Sequence, residues 1–102
     1  MFDARSLPNP YWDAALRPLT GRDEPVRRFL AGQPGVQQFI DDVARFLDAR
    51  IPEHRASNRR YLTAAIGCTG GQHRSVYIAE QLAERFAGQL PEVRVRHAAL
   101  PG

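Results

Sequence analysis

The chain has 102 residues, 43% of them hydrophobic and 25% charged, which suits one globular domain with a modest core. A collagen-like, low-complexity or disordered chain is excluded by that composition. Eleven acidic residues stand against fourteen basic ones, and every basic residue is Arg, so each cation is a planar fork suited to carboxylate or phosphate.

No apolar run approaches the roughly 20 residues of a membrane span. Met1–Arg5 also lacks the basic-then-apolar pattern of a signal peptide. Cys68 is the single cysteine, so an internal disulfide and a four-thiolate zinc site are both impossible. The expectation is a cytoplasmic protein with no metal site, no cofactor and no membrane contact.

In chain order, residues 2–7 alternate as a short strand and Pro8-Asn9-Pro10 breaks it. An irregular stretch from Tyr11 to Arg22 closes at Thr20-Gly21. Asp23 is a suitable N-cap for a helix from Glu24 to about Ala31, with Pro25 near its start. Pro34-Gly35 opens the next element. There Val36, Phe39, Ile40, Val43, Phe46 and Leu47 recur at helical spacing and predict an amphipathic helix of about four turns. The polar run 52–58 reads as a surface loop.

Tyr61 to Gly67 reads as a buried strand, and a third helix spans His73 to about Ala87. Its apolar face is Val76, Ala79, Ala83 and Phe86, widened by Ile78 and Leu82. Gly88 stops it, and Val93-Arg94-Val95-Arg96 alternates as a last strand. The order β-α-α-β-α-β predicts a small α/β domain, a short mixed sheet flanked by helices.

The chemistry concentrates in the turn from strand into third helix, Cys68-Thr69-Gly70-Gly71-Gln72-His73-Arg74-Ser75. A helix start leaves backbone N–H groups without intrahelical partners and carries the positive end of the dipole. Two glycines let a ligand approach those amides closely. The pattern therefore predicts an anion site best suited to phosphate, with His73, Arg74 and the Thr69 and Ser75 hydroxyls as further donors. It is neither a Walker A sequence nor G-x-G-x-x-G. It does satisfy the Cys-x5-Arg spacing of Cys-dependent phosphatases, through Cys68 and Arg74, with Asp13 the nearest conceivable general acid. Read one at a time the residues allow plainer roles: Cys68 as a small buried side chain, Gly70-Gly71 as a turn, His73 as a helix-start residue facing water.

Three stretches carry a family resemblance. Phe2 to Pro10, Leu16 to Gly21 and above all Gly67-Cys68-Thr69-Gly70-Gly71-Gln72-His73-Arg74-Ser75-Val76-Tyr77-Ile78-Ala79-Glu80 resemble the C-terminal domain of the RNase adapter protein RapZ, almost end to end. The resemblance implies a non-catalytic sensor domain, residues 1–102, that binds glucosamine-6-phosphate. It also implies presentation of a small regulatory RNA to RNase E, regulation of amino-sugar and cell-envelope precursor synthesis, and assembly as a homodimer or higher oligomer. By position, Thr69, Gly70, Gly71, Gln72, His73, Arg74, Ser75 and Cys68 would hold the phosphate. Asp3, Arg5, Asn9, Tyr11, Arg17 and Asn58 would surround the sugar. Arg59, Arg60, Arg94, Arg96 and His97 are the residues expected at RNA.

Three departures stand out: no P-loop half accompanies the domain in this sequence, Tyr11 occupies a position where some relatives have His, and the tail 98–102 is uncharged. Two other readings remain, a phosphatase using Cys68 and Arg74, and an RNA-binding domain without a metabolite.

Overall fold

The computed structural model describes residues 2–56, 65–67 and 72–87. Strand β1 (Phe2–Asp3) lies parallel to β2 (Ile66–Gly67), with Phe2 opposite Ile66 and Asp3 opposite Gly67. The N–H groups of Phe2 and Ala4 donate to the carbonyls of Ala65 and Gly67, each at 2.7 Å. Between the strands run a 3₁₀ turn (Pro10–Trp12) and helices α1 (Glu24–Ala31) and α2 (Pro34–Ala56); α3 (Arg74–Ala87) comes after β2. A parallel pair needs a crossover of this kind, and here it is made by helices, as the α/β reading requires. The predicted strand at 93–96 and residues 61–64 of the other lie outside the described residues.

Helix α1 begins and ends where the sequence places it, but Asp23 does a different job. Its side chain makes no bond to the helix amides; Oδ2 instead accepts the N–H of Thr20 at 2.7 Å, closing the preceding turn. Val26 and Leu30 are fully buried and meet Val36, Ile40, Val43, Ala44 and Leu47 of α2 and Tyr77, Ile78, Leu82 and Phe86 of α3.

Two expectations about α2 are corrected. The helix continues through Pro52 to Ala56, where the sequence suggested a loop. Pro52 removes one helical N–H, yet Ile51 is packed against the core and Arg50 pairs with Glu53 at 3.1 Å across the proline. Phe46, expected on the core face, is 52% exposed; its ring meets Phe2 edge-on at 5.5 Å and Arg50 lies over it at 5.5 Å. Val36, Ile40, Val43, Ala44 and Leu47 make up the face of α2 that the core buries, and Phe46 falls at its margin.

Helix α3 buries Val76, Tyr77, Ile78, Leu82 and Phe86, while Ala79 and Ala83 are only half-buried. Burial pushes the Tyr77 phenol above its usual range, with the nearby Arg27 opposing and Glu84 reinforcing. Arg85 donates to Asp41 at 2.8 Å and ties α3 to α2. Among the described residues, no helix is long and apolar enough to cross a membrane.

Gly21 is where the chain passes closest to α3. A Cβ there would lie 2.5 Å from the amide nitrogen of Tyr77, closer still to the carbonyl oxygen of His73, and 2.9 Å from Cβ of Val76. Backbone cannot give way as a flexible side chain can, so Gly21→Ala should lower stability by about 2 kcal/mol or more. In a thermal melt that is a fall in Tm of roughly 8–16 °C.

The Asp41 carboxyl is held below its ordinary 3.8 by hydrogen bonds from Arg85 and then Gln37. A carboxylate whose folded-state pKa is depressed adds stability at higher pH and loses it as pH falls through the folded value. Asp41→Asn should therefore shrink the drop in Tm between about pH 5 and pH 2, read from melts across that range.

Candidate functional site

Because β1 and β2 are parallel, the chain leaves both at the same edge: residues 4–21 after one strand, the turn into α3 after the other. Carboxyl ends of parallel strands are where ligands gather in α/β sheets. The turn 68–71 lies outside the described residues, whereas residues 72–75, which open α3, are defined in detail.

Three consecutive side chains, Gln72, His73 and Arg74, each reach into the 4–21 segment. Gln72 Nε2 donates to the carbonyls of Arg17 at 2.8 Å and Leu19 at 2.6 Å. His73 is only 4% exposed and its Nε2 lies 3.0 Å from the carbonyl of Leu16. A carbonyl can only accept, so Nε2 carries the proton. The water-facing role considered for His73 is thereby overturned. Arg74 is 3% exposed, and its Nη1 donates to the carbonyls of Arg5 at 2.8 Å and Leu7 at 3.0 Å, with Ala4 at a longer 3.4 Å. One edge of the Arg74 fork thus holds main chain. Ser75 is also buried, in the first turn of α3.

Of the residues assigned to the sugar side, Asp3, Arg5, Asn9, Tyr11 and Arg17 lie in or next to the same segment. Asp3 and Arg5 form an exposed fork-to-carboxylate pair: Arg5 Nη2 donates to Oδ2 at 2.7 Å, and Nε to Oδ1 and Oδ2 at 3.0 and 2.9 Å. Hydrogen bonds from the Arg5 side chain and backbone hold the Asp3 carboxyl below the usual carboxylate range, and the charge of Arg74 adds to this. The same contact raises the Arg5 guanidinium above its ordinary value. Asn9 Oδ1 accepts the N–H of Tyr11 at 3.1 Å and caps the 3₁₀ turn. Arg17 Nε donates to the Tyr11 carbonyl at 2.9 Å while its guanidinium lies 4.7 Å over the Tyr11 ring. Asp13, the conceivable general acid, has Oδ1 on the N–H of Ala15 at 2.9 Å within its own turn.

Cys68, Thr69, Gly70 and Gly71, with Asn58, Arg59, Arg60, Arg94, Arg96 and His97, lie outside the described residues. The sequence reading missed the acceptors, since the carbonyls of Ala4, Arg5, Leu7, Leu16, Arg17 and Leu19 have no signature in residue type. It also missed Trp12, 78% exposed and edge-on to Tyr11 at 5.8 Å. A separate cleft lined by Gly21, Arg22, Arg27, Glu80 and Glu84 carries two cations and two anions, with Arg22 and Glu80 paired at 3.2 Å. Its charges balance, so it is a poor rival as an anion site.

Residues 1–101 match the family model described as the RapZ C-terminal domain. The chain belongs to the RapZ C-terminal domain family. A nucleotide-binding protein of Shewanella sp. (strain W3-18-1) is 59% identical over 100 residues, covering 98% of this chain and 35% of that protein. A nucleotide-binding protein of Bordetella pertussis is 60% identical over 97 residues, covering 95% of this chain and 33% of its own length. The chain thus spans about a third of the length of the curated relatives it matches. The RapZ-type turn and the 4–21 segment both fall inside the shared region.

Arg74→Leu removes a buried donor from three carbonyls of this RapZ-type domain, so stability in urea should fall by about 2–4 kcal/mol. Exchange of the amides of residues 4–7 should accelerate. Arg74→Lys should recover only part of the loss, because an ammonium cannot reproduce the fork.

Proposed function

We propose that this domain is a non-catalytic sensor of a phosphorylated amino sugar of the glucosamine-6-phosphate type. The phosphate is held by Cys68–Ser75 and the amino end of α3, and the sugar faces Asp3, Arg5, Asn9, Tyr11, Arg17 and Asn58. The observation that carries this reading is convergence: at one edge of a parallel strand pair, the start of α3 is locked by Gln72, His73 and Arg74 onto the segment that bears the sugar-side residues. A helix start supplies amides and a favourable dipole to a dianion, and nearby aromatic and amide groups can address hydroxyl and amine substituents. Family membership supports the same reading. Since Arg74 also supports the fold, main-chain amides and the Thr69 hydroxyl carry more of the phosphate contact than a free guanidinium would.

Titration calorimetry with glucosamine-6-phosphate tests this directly. Wild type should bind, and Thr69→Ala should weaken binding by roughly ten-fold or more, the worth of a hydrogen bond to a charged group. Arg74→Ala should weaken it by no more than Thr69→Ala does, with a melt run alongside to separate lost contact from lost fold. Absence of heat with wild type overturns the proposal. Turnover of an aryl phosphate that disappears in Cys68→Ser would replace it with the phosphatase reading.

RNA contact is the second reading, as part of an adapter that delivers a small regulatory RNA to RNase E from a cytoplasmic homo-oligomer. The exposed Trp12 beside an Arg17-covered Tyr11 favours it, because unpaired bases stack on such groups. A gel shift with structured RNA that weakens steeply between two salt concentrations is the expected outcome. No shift at low salt removes the role.

A further inference from the structure

The Gln72 side chain ties the residues that open α3 to the 4–21 segment. Its Nε2 has two hydrogens, and both are used, on Arg17 O at 2.8 Å and Leu19 O at 2.6 Å. Its main-chain carbonyl accepts the N–H of Gly21 at 3.0 Å, and His73 reaches Leu16 O at 3.0 Å. Residues 16–21 are therefore fastened to the residues that open α3 through both main chain and side chain. From Arg17 the connection continues outward: its Nε donates to Tyr11 O, its guanidinium covers the Tyr11 ring, and that ring meets Trp12. Asn9 fixes the other end of the same turn.

We propose that Gln72 is a positioning residue, which sets the Tyr11–Arg17 wall relative to the residues that open α3 and so decides how the organic part of a phosphate ester is read. The ligand part of this inference rests on the sugar-phosphate reading above. With both amide hydrogens taken by main chain, Gln72 acts on selectivity between esters rather than by gripping phosphate. Two facing carbonyls demand a donor of neutral or positive charge at this position. A carboxylate offers no hydrogen and repels both oxygens; an ammonium offers up to three hydrogens on a stem of sufficient reach.

The test compares the 102-residue chain with its Gln72→Glu and Gln72→Lys variants, with Gln72→Ala in reserve should Gln72→Glu fail to fold in a thermal melt. Two quantities are read. One is the fluorescence anisotropy of Trp12, the only tryptophan, in the absence of ligand. The other is the ratio of affinities for glucosamine-6-phosphate and for inorganic phosphate, which cancels any general change in attraction for anions. Gln72→Glu should lower the anisotropy and cut the ratio by about ten-fold, the worth of roughly one good hydrogen bond. Gln72→Lys should bring both back to within about two-fold of wild type. A purely structural role would not move the ratio. An unchanged anisotropy and ratio in Gln72→Glu, or failure of Gln72→Lys to restore them, overturns the inference. If wild type binds neither compound, the sugar-phosphate reading falls, while the anisotropy still decides whether Gln72 holds the wall.

Discussion

A buried carbonyl needs a donor, and residues 4–21 hold eighteen residues of chain with almost no regular structure to supply one. The donors come from three adjacent side chains at the start of α3. Gln72, His73 and Arg74 together reach the carbonyls of Ala4, Arg5, Leu7, Leu16, Arg17 and Leu19. They add to the anchors that the segment has in Ala4 N–H on the Gly67 carbonyl, Gly21 N–H on the Gln72 carbonyl and the buried Ala4 and Leu16. Burying a guanidinium is costly unless its hydrogens are taken. Here the carbonyl cluster takes those of Nη1, and the exposed Asp3 carboxylate lies close enough to feel the same charge.

This arrangement changes how the turn's chemistry is understood. Side chains that look from composition like ligand donors also serve as scaffold, so a phosphate at the turn would be held chiefly by main-chain amides and hydroxyls on a preorganised frame. Preorganisation of that kind keeps affinity from being spent on ordering loops. It also joins the start of α3 to the aromatic edge of Tyr11 and Trp12, through Gln72, Arg17 and the Tyr11 carbonyl.

The packing beneath the site is ordinary by comparison. Val26 and Leu30 of α1 meet an aliphatic stripe on α2 and the apolar face of α3, and Arg85–Asp41 pins the last two together at the surface. Gly21 is the point where this core touches the site. Only a residue without Cβ lets the chain pass so near the His73 carbonyl that Gln72 and Leu19 come within hydrogen-bond range. The fold and the site are therefore not separable at this position.

Much of the architecture was legible in one dimension. Periodicity placed the first four turns of α2 and α3, because apolar spacing of three and four residues directly reports a helix face, while Asp23 and Pro25 marked the start of α1. The glycine pair and the polar run after it marked the turn, and a specific string of residues pointed to the family. What the residues could not disclose was direction and partnership. That Phe46 is exposed depends on how wide a face of α2 the core covers, and the continuation of the helix through Pro52 goes with Ile51 packed on the core and Arg50 paired with Glu53. The roles of Gln72, His73 and Arg74 were hidden for a related reason: their acceptors are main-chain carbonyls, alike in every residue, which only the folded chain brings within 3 Å or so of them. The amino-acid order determined which donors exist and which helices form. Tertiary structure alone decided what those donors hold, since a hydrogen bond between residues more than fifty positions apart is a property of the path the backbone takes.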